Sequence, residues 1–301
     1  MSSQIYSLPR VAGAEENLES PADALLPIGA MLINAGKLSH VDSQRILERQ
    51  KISGLPYGEV GIELGLLREE DVRLALAKQF GQISLPPAEV SVELAAVHEP
   101  DSAVVEHLRG LRSQLMLRWF ENDARHGALA IVSPGTGEGR SYISANLATL
   151  FSQLGKRTLL VDADLRRPRQ HKIFGLAGRV GLSSMLAGRA GDEAVCEIKA
   201  LPDLWVLPAG ALPPNPQELL ARTSFSNLLS SWRSNYEVIL LDTPAANTCA
   251  DAGTVAARAG AALMLACRDR SSLNLVVRLA EDLRQFGVTV VGSVFNGAPK
   301  R

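Results

Sequence analysis

Cysteine is scarce in this chain, with only Cys196, Cys249 and Cys267 among 301 residues. An odd number without regular spacing argues against both a disulfide framework and a cysteine metal site. The five histidines are scattered in the same way, without ligand spacing: His40, His98, His107, His126 and His171. We therefore expect reduced thiols in a protein of the cytoplasm, and no metal centre built from histidine or cysteine.

The chain also lacks an excess of one charge and lacks long apolar runs. Lysine and arginine total 31 against 32 acidic residues, so the net charge of −1 predicts no nucleic-acid partner. The most apolar windows, 259–267 and 286–295, are too short to span a bilayer, and the N-terminus lacks the apolar region of a signal peptide. A role at the inner face of the cytoplasmic membrane would therefore need a partner that holds the protein there.

The N-terminal part of the chain contains an internal repeat. Nine residues recur at a fixed offset: Leu26, Pro27, Gly29, Ile33, Gly36, Leu38, Asp42, Leu47 and Gln50 return as Leu55, Pro56, Gly58, Ile62, Gly65, Leu67, Asp71, Leu76 and Gln79. Each copy predicts a short helix that ends at a glycine, then a second helix that begins near Ser39 or Arg68. We predict a flexible arm over 1–25, an all-α repeat domain over 26–84, a proline-containing linker over 85–101 and a second domain over 102–301.

These repeats resemble the N-terminal domain of type II secretion and type IV pilus assembly ATPases, which carries tandem copies of a similar glycine and leucine pattern. Some of those domains bind cyclic di-GMP through an Arg-Leu-Gly start to each copy. Here the copies start Pro27-Ile28-Gly29 and Pro56-Tyr57-Gly58, so the arginine is missing from both. The resemblance favours a docking or packing module, with cyclic di-GMP binding as the alternative.

The second part of the chain is organised around residues 130–141, an apolar run followed by Pro-Gly-Thr-Gly-Glu-Gly-Arg-Ser and an amphipathic segment. This is the strand, phosphate loop and helix arrangement of P-loop nucleotide-binding proteins. The glycines let backbone N–H groups turn towards a polyphosphate, and Ser141 stands where the loop supplies a hydroxyl to magnesium. Pro134 and Arg140 replace the glycine and lysine of the motif, but arginine keeps the positive charge and can fork onto two phosphate oxygens.

Acidic residues follow two of the predicted buried strands. Asp162 and Asp164 come at the end of 158–161, and Asp242 comes at the end of 238–241. Carboxylates at the carboxyl ends of strands point into the ligand crevice of α/β proteins, where they can hold magnesium or accept a proton. The alternative for the first pair is capping of the next turn. Further apolar runs alternate with helical patterns, which predicts an α/β fold with a doubly wound, mainly parallel sheet.

With these motifs in order over 99–296, the chain resembles the bacterial tyrosine kinases of the exopolysaccharide chain-length-determinant type. The segments that carry the resemblance are Gly137-Glu138-Gly139-Arg140-Ser141, Asp162-Ala163-Asp164-Leu165-Arg166, Gly181-Leu182-Ser183, the proline-rich run 213–220, Asp242-Thr243-Pro244 and Asp251-Ala252. The helix motif Glu106-x-x-Arg109-x-x-Arg112 matches the one through which these kinases assemble into a ring.

The resemblance implies ATP-dependent phosphorylation of protein tyrosines, with ATP and Mg²⁺ as cofactors. The implied nucleotide ligands are Thr136, Gly137, Glu138, Gly139, Arg140, Ser141, Tyr142 and, for adenine, Asn296. Ser141 and Asp242 would hold magnesium, and Asp162 and Asp164 would share metal positioning with activation of the attacking phenol. Arg140, Asp162 and Asp164 are the implied catalytic residues.

Two departures from the family pattern leave other functions open. The tyrosine-rich tail is absent, and of Tyr6, Tyr57, Tyr142 and Tyr236 the first, on the predicted arm, is the best acceptor. The family's membrane-spanning activator is also absent, so we expect a separate inner-membrane chain-length protein as partner. The alternatives are a non-catalytic ATP-binding switch for polysaccharide export and a partitioning-type ATPase, although that class carries a lysine near Gly135 that is missing here.

Overall fold

The computed structural model describes residues 27–69, 71, 72, 75, 90–122 and 127–297. Two compact units divide the chain, Met1–Gly81 and Gln82–Arg301. Three features predicted from the sequence lie outside the described residues: the arm with Tyr6, the start of the linker, and the end of the second repeat at Gln79.

The first unit is built from the repeat. Its helices are α1 (Ile28–Asn34), α2 (His40–Ser53) and α3 (Tyr57–Glu63), and α3 occupies in the second copy the place of α1 in the first. Gly36 and Gly65 follow the short helices with φ of 65° and 66°, a backbone conformation that glycine adopts without strain. Each donates its N–H at 2.9 Å to a carbonyl three residues earlier, and so ends its helix.

One apolar cluster holds these helices together. It contains buried side chains from both copies of the repeat: Leu32, Leu38, Ile46, Val60, Leu67, Val72 and Ala75. The start of α2 is capped by Ser39, whose hydroxyl accepts from the Asp42 N–H at 3.1 Å. At the matching place in the second copy the Asp71 carboxylate accepts from the Arg68 N–H at 3.3 Å, so both copies begin their second helix with a side-chain cap.

The second unit contains a seven-stranded sheet. Its strands are β1 (Ala128–Val132), β2 (Thr158–Asp162), β3 (Cys196–Glu197), β4 (Leu204–Leu207), β5 (Val238–Asp242), β6 (Ala261–Cys267) and β7 (Thr289–Asn296). The order across the sheet is β3-β4-β2-β5-β1-β6-β7, and every pair is parallel except β3 with β4. Strands β1, β2 and β5 are buried at every residue because helices cover both faces. The predicted α/β class with a mainly parallel sheet is confirmed.

Helices connect these strands and pack on both faces of the sheet. They are α4 (Ala95–His98), α5 (Ala103–Leu115), α6 (Arg140–Gln153), α7 (Gln170–Ile173), α8 (Leu182–Leu186), α9 (Pro216–Ala221), α10 (Thr223–Asn235), α11 (Asp251–Ala259) and α12 (Leu273–Gln285). The chain continues from α5 through a π-helical turn at Met116–Phe120. Within the described parts of the chain, every helix is too short or too polar to cross a membrane.

The second half of the predicted linker is part of this unit, and the prediction of a linker is wrong for residues 90–101. Leu94 and Val97 are fully buried in the core of the sheet. Asn146 on α6 ties the segment down: its Oδ1 accepts from the Ala96 N–H at 2.9 Å and its Nδ2 donates to the Glu93 carbonyl at 3.0 Å. The prolines around this stretch suggested a connection, but the apolar residues between them are core residues.

Candidate functional site

The phosphate loop runs from Ser133 to Gly139, between β1 and α6. Gly137 and Gly139 have φ of 70° and 101°, in the left-handed region. A Cβ at Gly137 would collide with the Arg270 guanidinium, and one at Gly139 would collide with the Asn296 amide. Glycine is therefore required twice, and Gly139 allows α6 to begin directly at Arg140 with its free N–H groups at the loop.

Glu138 folds the loop from within rather than facing the cleft. Its carboxylate is buried, with Oε2 accepting from the Gly135 N–H at 2.7 Å and Oε1 accepting from the Ser271 hydroxyl. Asn296 at the end of β7 donates through Nδ2 to the Glu138 carbonyl at 3.0 Å. Both side chains brace the loop, so contact of Glu138 and Asn296 with a nucleotide stays a prediction.

The Arg140 side chain ties the loop to the ends of two strands. Nε donates to the Thr243 carbonyl at 2.8 Å, while Nη1 donates to the Gly135 carbonyl at 2.6 Å and to the Ser133 hydroxyl. Burial lowers the pKa of Arg140, and the carboxylates of Asp242 and nearby acids oppose that shift. Nη2 makes no hydrogen bond to any residue that the structure describes, so this nitrogen is free to face a phosphate.

Asp162 and Asp242 lie opposite each other at the ends of β2 and β5, and both are fully buried. Asp242 Oδ2 accepts from Gln170 Nε2 at 2.8 Å, whereas Oδ1 has no partner among the described residues. Burial raises the pKa of Asp242 to about 6, although the Ser141 hydroxyl, Gln170 and Arg140 oppose the shift. Burial and the neighbouring Asp242 also raise the pKa of Asp162 well above its ordinary value.

The acidic pair after β2 shapes the loop that follows it. Asp162 accepts from the N–H groups of Asp164 at 3.3 Å, Arg169 at 3.0 Å and Gln170 at 2.9 Å. Asp164 Oδ1 accepts from the N–H groups of Arg166 at 3.1 Å and Arg167 at 2.8 Å. The alternative of turn capping therefore describes part of what both carboxylates do. Asp164 also reaches the cleft wall, while Asp162 lies below it.

A cleft of about 320 Å³ opens above the loop. Its walls contain Thr136, Gly137, Gly139, Arg140, Ser141, Tyr142, Asp164, Arg166, Arg167, Arg169, Pro244, Ala245 and Thr248. The structure thus brings together six of the eight predicted nucleotide ligands and one of the predicted acids. Glu138, Asn296, Asp162 and Asp242 lie beside or below the cleft rather than on its wall.

Three arginines at the cleft were not singled out from the sequence. Arg166, Arg167 and Arg169 directly follow the acidic motif at the end of β2, and that position was the available signal. Arg166 is held by Asp251 on α11, with Nε to Oδ2 at 2.8 Å and Nη2 to Oδ1 at 3.2 Å. Because Asp251 is fully buried, this two-point pair fixes the direction of the guanidinium, and it raises the pKa of Arg166.

The residues below the cleft fit a magnesium ion that arrives with phosphate groups. No group of three or more acidic, histidine or cysteine side chains that could cage a metal occurs in the described part of the chain. Magnesium commonly takes only one or two carboxylates and completes its shell with phosphate oxygens and water. The buried, unpartnered Asp242 Oδ1 and the adjacent Ser141 hydroxyl supply that kind of donor set.

The three residues of the predicted ring motif on α5 make two different kinds of contact. Glu106 and Arg109 form an ion pair of 3.2 Å with each other on the helix surface. Arg112 turns inward instead, and its Nη1 donates to the Leu150 carbonyl of α6 at 3.0 Å. Burial lowers the pKa of Arg112. This bond anchors α5 to the phosphate-loop helix, and the part of Arg112 in ring assembly stays a prediction.

Residues 129–299 match the model of the CobQ/CobB/MinD/ParA nucleotide binding domain. The chain belongs to this family. Two relatives named as tyrosine-protein kinases are EpsB of Ralstonia solanacearum, 37% identical over 67% of this chain and 27% of that protein, and CapB of Staphylococcus aureus, 33% identical over 67% of this chain and 89% of that protein. The chain thus spans about a quarter of the first and most of the second.

Solved structures of tyrosine kinases within this family are also similar to the chain. The kinase domain of the Escherichia coli tyrosine kinase ETK superposes with a TM-score of 0.66 and 29% identity, over 72% of this chain and 82% of that domain. The predicted resemblance is confirmed: within its family the chain is related to the bacterial tyrosine kinases.

Proposed function

We propose that this protein is an ATP-dependent protein-tyrosine kinase that regulates the chain length, polymerisation and export of an exopolysaccharide. The observation that carries the proposal is the single cleft in which the phosphate loop, Asp164 and three arginines meet. An ordinary P-loop ATPase needs the loop and the acid after β5, whereas the second acidic motif after β2 adds a carboxylate on the side from which an acceptor approaches.

The roles of the side chains follow from their places in the cleft. The N–H groups of the loop and Nη2 of Arg140 would bind the β- and γ-phosphates. Ser141 and Asp242 would hold Mg²⁺, which neutralises phosphate charge when bound. The acceptor phenol would attack the γ-phosphorus and pass its proton to Asp164, while the bond to the β-phosphate oxygen breaks and ADP leaves. Asp162, bonded to three backbone N–H groups, would position Asp164 and the arginines rather than touch the reacting atoms.

Arg166 is suited to stabilise the charge that develops on the transferred phosphoryl group. Its guanidinium lies in the cleft wall and is oriented beforehand by the buried Asp251. A donor held in place needs no reorganisation at the moment of reaction, which is the main source of electrostatic catalysis.

A second candidate is a non-catalytic switch, in which ATP binding drives assembly and the transporter responds to assembly. Two observations favour it. Two nitrogens of Arg140 are engaged with the protein, and no tyrosine among the described residues is fully exposed. Tyr57 is bonded to Ser43 at 2.8 Å, and burial raises the pKa of Tyr142 and Tyr236. Among the tyrosines of this sequence, Tyr6 therefore stays the predicted acceptor, and a tyrosine of another protein is the alternative.

Labelled ATP separates the two candidates. Purified full chain is incubated with [γ-³²P]ATP, Mg²⁺ and membranes containing the chain-length partner, and phosphotyrosine is identified after acid hydrolysis. We expect label on tyrosine with wild type, at least tenfold less with Asp164→Asn, and an unchanged level with Asp269→Asn, whose side chain is fully in solvent. Tyrosine label that is absent from wild type while a fluorescent ATP analogue still binds would establish the switch instead.

Partners and location form part of the same proposal. We place the protein at the inner face of the cytoplasmic membrane, held by an inner-membrane chain-length protein and assembled as a ring of identical subunits. For the N-terminal repeats a docking role is proposed first, since the cyclic di-GMP arginine is missing from both copies. Heat of binding in a calorimetric titration with cyclic di-GMP would reverse that preference.

A further inference from the structure

A second and larger groove lies beside the nucleotide cleft. It encloses about 740 Å³, and its walls include Arg166, Arg167, Arg169, Lys172, Arg179 and Leu212. The first three of these residues also line the nucleotide cleft, so the two cavities lie side by side and share this wall. We call this second cavity the basic groove. It contains no acidic residue in its wall.

Three of its cations have no ion-pair partner among the described residues. Arg166 pairs with Asp251, and Arg169 pairs with Glu93 at 2.7 Å. Within the described residues, however, no carboxylate lies in ion-pair distance of Arg167, Lys172 or Arg179, and all three are exposed. The net charge of the chain is −1, so this positive surface is a local feature and not a consequence of composition. Unpaired cations facing one groove are suited to an anionic ligand.

Hydrogen bonds within the protein hold both walls of the basic groove. On one side Asp162 and Asp164 accept the N–H groups of Arg169 and Arg167. On the other, Gly181-Leu182-Ser183 packs on the loop after β4: the Leu182 N–H donates to the Pro208 carbonyl at 2.8 Å and the Ser183 hydroxyl to the Ala211 carbonyl at 2.7 Å. A preformed groove costs less conformational entropy on binding than a surface that must be ordered.

Size and position indicate what kind of anion fits. A volume of about 740 Å³ is far more than one phosphate group occupies and is in the range that holds several side chains. Because the groove shares Arg166, Arg167 and Arg169 with the cleft, its occupant lies next to the terminal phosphate of a nucleotide bound on the loop. Pro168 and Leu212 add apolar wall, which suits the carbon atoms of a peptide better than a bare ion.

We propose that the basic groove binds an acidic peptide segment next to the tyrosine that is phosphorylated. Phosphorylation of the neighbouring tyrosine rests on the proposed kinase function, whereas binding of the acidic peptide does not. Carboxylates of the acceptor would pair with Lys172 and Arg179 at the far end of the groove and with Arg167 near the cleft. The neighbouring tyrosine would then lie at the cleft, where its phenol oxygen reaches the γ-phosphate.

The test uses the full chain with Mg²⁺ and a non-hydrolysable ATP analogue, and two fluorescein-labelled peptides. One peptide has a single tyrosine flanked by glutamates, and the other has glutamines in place of the glutamates. By fluorescence anisotropy we expect the glutamate peptide to bind at least tenfold more tightly, with an affinity that falls as salt is added. Lys172→Glu with Arg179→Glu should weaken it by about tenfold or more.

Control variants and a second measurement show whether a loss of peptide binding is due to the basic groove itself. Arg189→Glu reverses one charge at an exposed arginine outside the groove, as each single groove substitution does within it, and should change peptide affinity less than twofold. The milder pair Lys172→Gln and Arg179→Gln serves if the reversal disturbs folding, as judged by the thermal midpoint. Neither residue lines the nucleotide cleft, so affinity for a fluorescent ATP analogue reports separately on that cleft.

The results of these experiments distinguish failure of the groove proposal from failure of the proposed kinase function. Charge-selective peptide binding without any phosphotyrosine would retain the groove and reject the kinase. Equal binding of the two peptides, or no loss in the groove variants, would overturn the groove even if the kinase is active. Sedimentation with phosphatidylserine vesicles that is lost in the groove variants, without peptide selectivity, would show a lipid surface instead and would also overturn the proposal.

Discussion

Asp242 is a fully buried carboxyl group at the end of β5, and one of its oxygens, Oδ1, has no hydrogen-bond partner among the described residues. Its pKa is raised from 3.8 to about 6, mainly by burial. The folded protein therefore binds more protons than the unfolded chain between about pH 4 and pH 6, and the free energy of unfolding falls as pH rises through this window. The carboxylate that we propose as a magnesium ligand therefore lowers the stability of the fold at neutral pH.

Asp242→Asn should consequently stabilise the protein while abolishing its magnesium-dependent binding of ATP. With EDTA at pH 7.5 we expect the free energy of unfolding to rise by about 2 kcal/mol, because the neutral amide avoids the burial of charge and its oxygen can still accept from Gln170. The gain should vanish near pH 4. Denaturant unfolding at several pH values measures this, with the exposed Asp269→Asn as control. A variant no more stable than wild type at pH 7.5 would contradict the assignment.

Arg140 holds the loop through two carbonyl groups, and we propose that it also binds phosphate; two variants separate these roles. Lysine keeps the charge but has one nitrogen, which does not reach the Thr243 and Gly135 carbonyls together. We expect Arg140→Lys to lower the thermal midpoint yet bind a fluorescent ATP analogue within about tenfold of wild type. Arg140→Ala should lose stability and more than tenfold in affinity. Wild-type affinity in the alanine variant would remove Arg140 from the nucleotide site.

Residue type and spacing predicted which residues stand near the cleft, but not which way each side chain points. Thr136, Gly137 and Ser141 were identified because the loop motif specifies their backbone positions. Glu138 lies in the same motif and Asn296 was implied by the family resemblance, yet both bond to protein groups more than a hundred residues away in sequence. Such orientations depend on long-range packing, for which one sequence contains no direct evidence.

At the scale of elements, the buried strands were predictable because parallel strands covered on both faces are continuous apolar runs. β3 was not, since it is two residues long and lies at the edge of the sheet. Residues 90–101 show the opposite error: prolines suggested a linker where Asn146 holds the chain against the core. Local composition does not reveal an anchor that is fifty residues away in sequence.

The close packing of Gly181 against the loop after β4 can be tested by substitution. A Cβ at Gly181 would overlap the Pro208 carbonyl oxygen and lie 2.6 Å from the Gly210 nitrogen, both of them backbone atoms. Gly181→Ala should therefore destabilise the protein by about 2–4 kcal/mol and loosen the wall of the basic groove. Gly110→Ala is the matched control, because its Cβ meets open space on α5 and helix propensity favours alanine. Equal thermal midpoints for the two variants would contradict this packing.

At the scale of the whole molecule, the proposed ring depends on the helix motif of α5, and the three residues of that motif make different contacts in the structure. Glu106 is 73% exposed, and among the described residues its ion-pair partner is Arg109 of its own helix, whose side chain is 23% exposed. An ion pair at a surface contributes little stability, so Glu106 and the exposed part of Arg109 can exchange this contact for one with a neighbouring subunit. Arg112 is committed to the Leu150 carbonyl. Its loss should cost stability of the single chain before it affects assembly, because a buried carbonyl would be left without its donor.

Arg109→Glu should therefore reduce the particle from a closed ring to the 32.2 kDa monomer in light scattering, with little change in thermal midpoint. Arg112→Ala should instead lower the midpoint by several degrees. Arg284→Glu, on the exposed side of α12, is the charge-reversal control and should leave the mass unchanged. Because every subunit of a closed ring uses the same contact, one like-charge pair is repeated at each interface, and even a modest repulsion opens the ring. A particle of unaltered mass in Arg109→Glu would place the assembly surface elsewhere on the molecule.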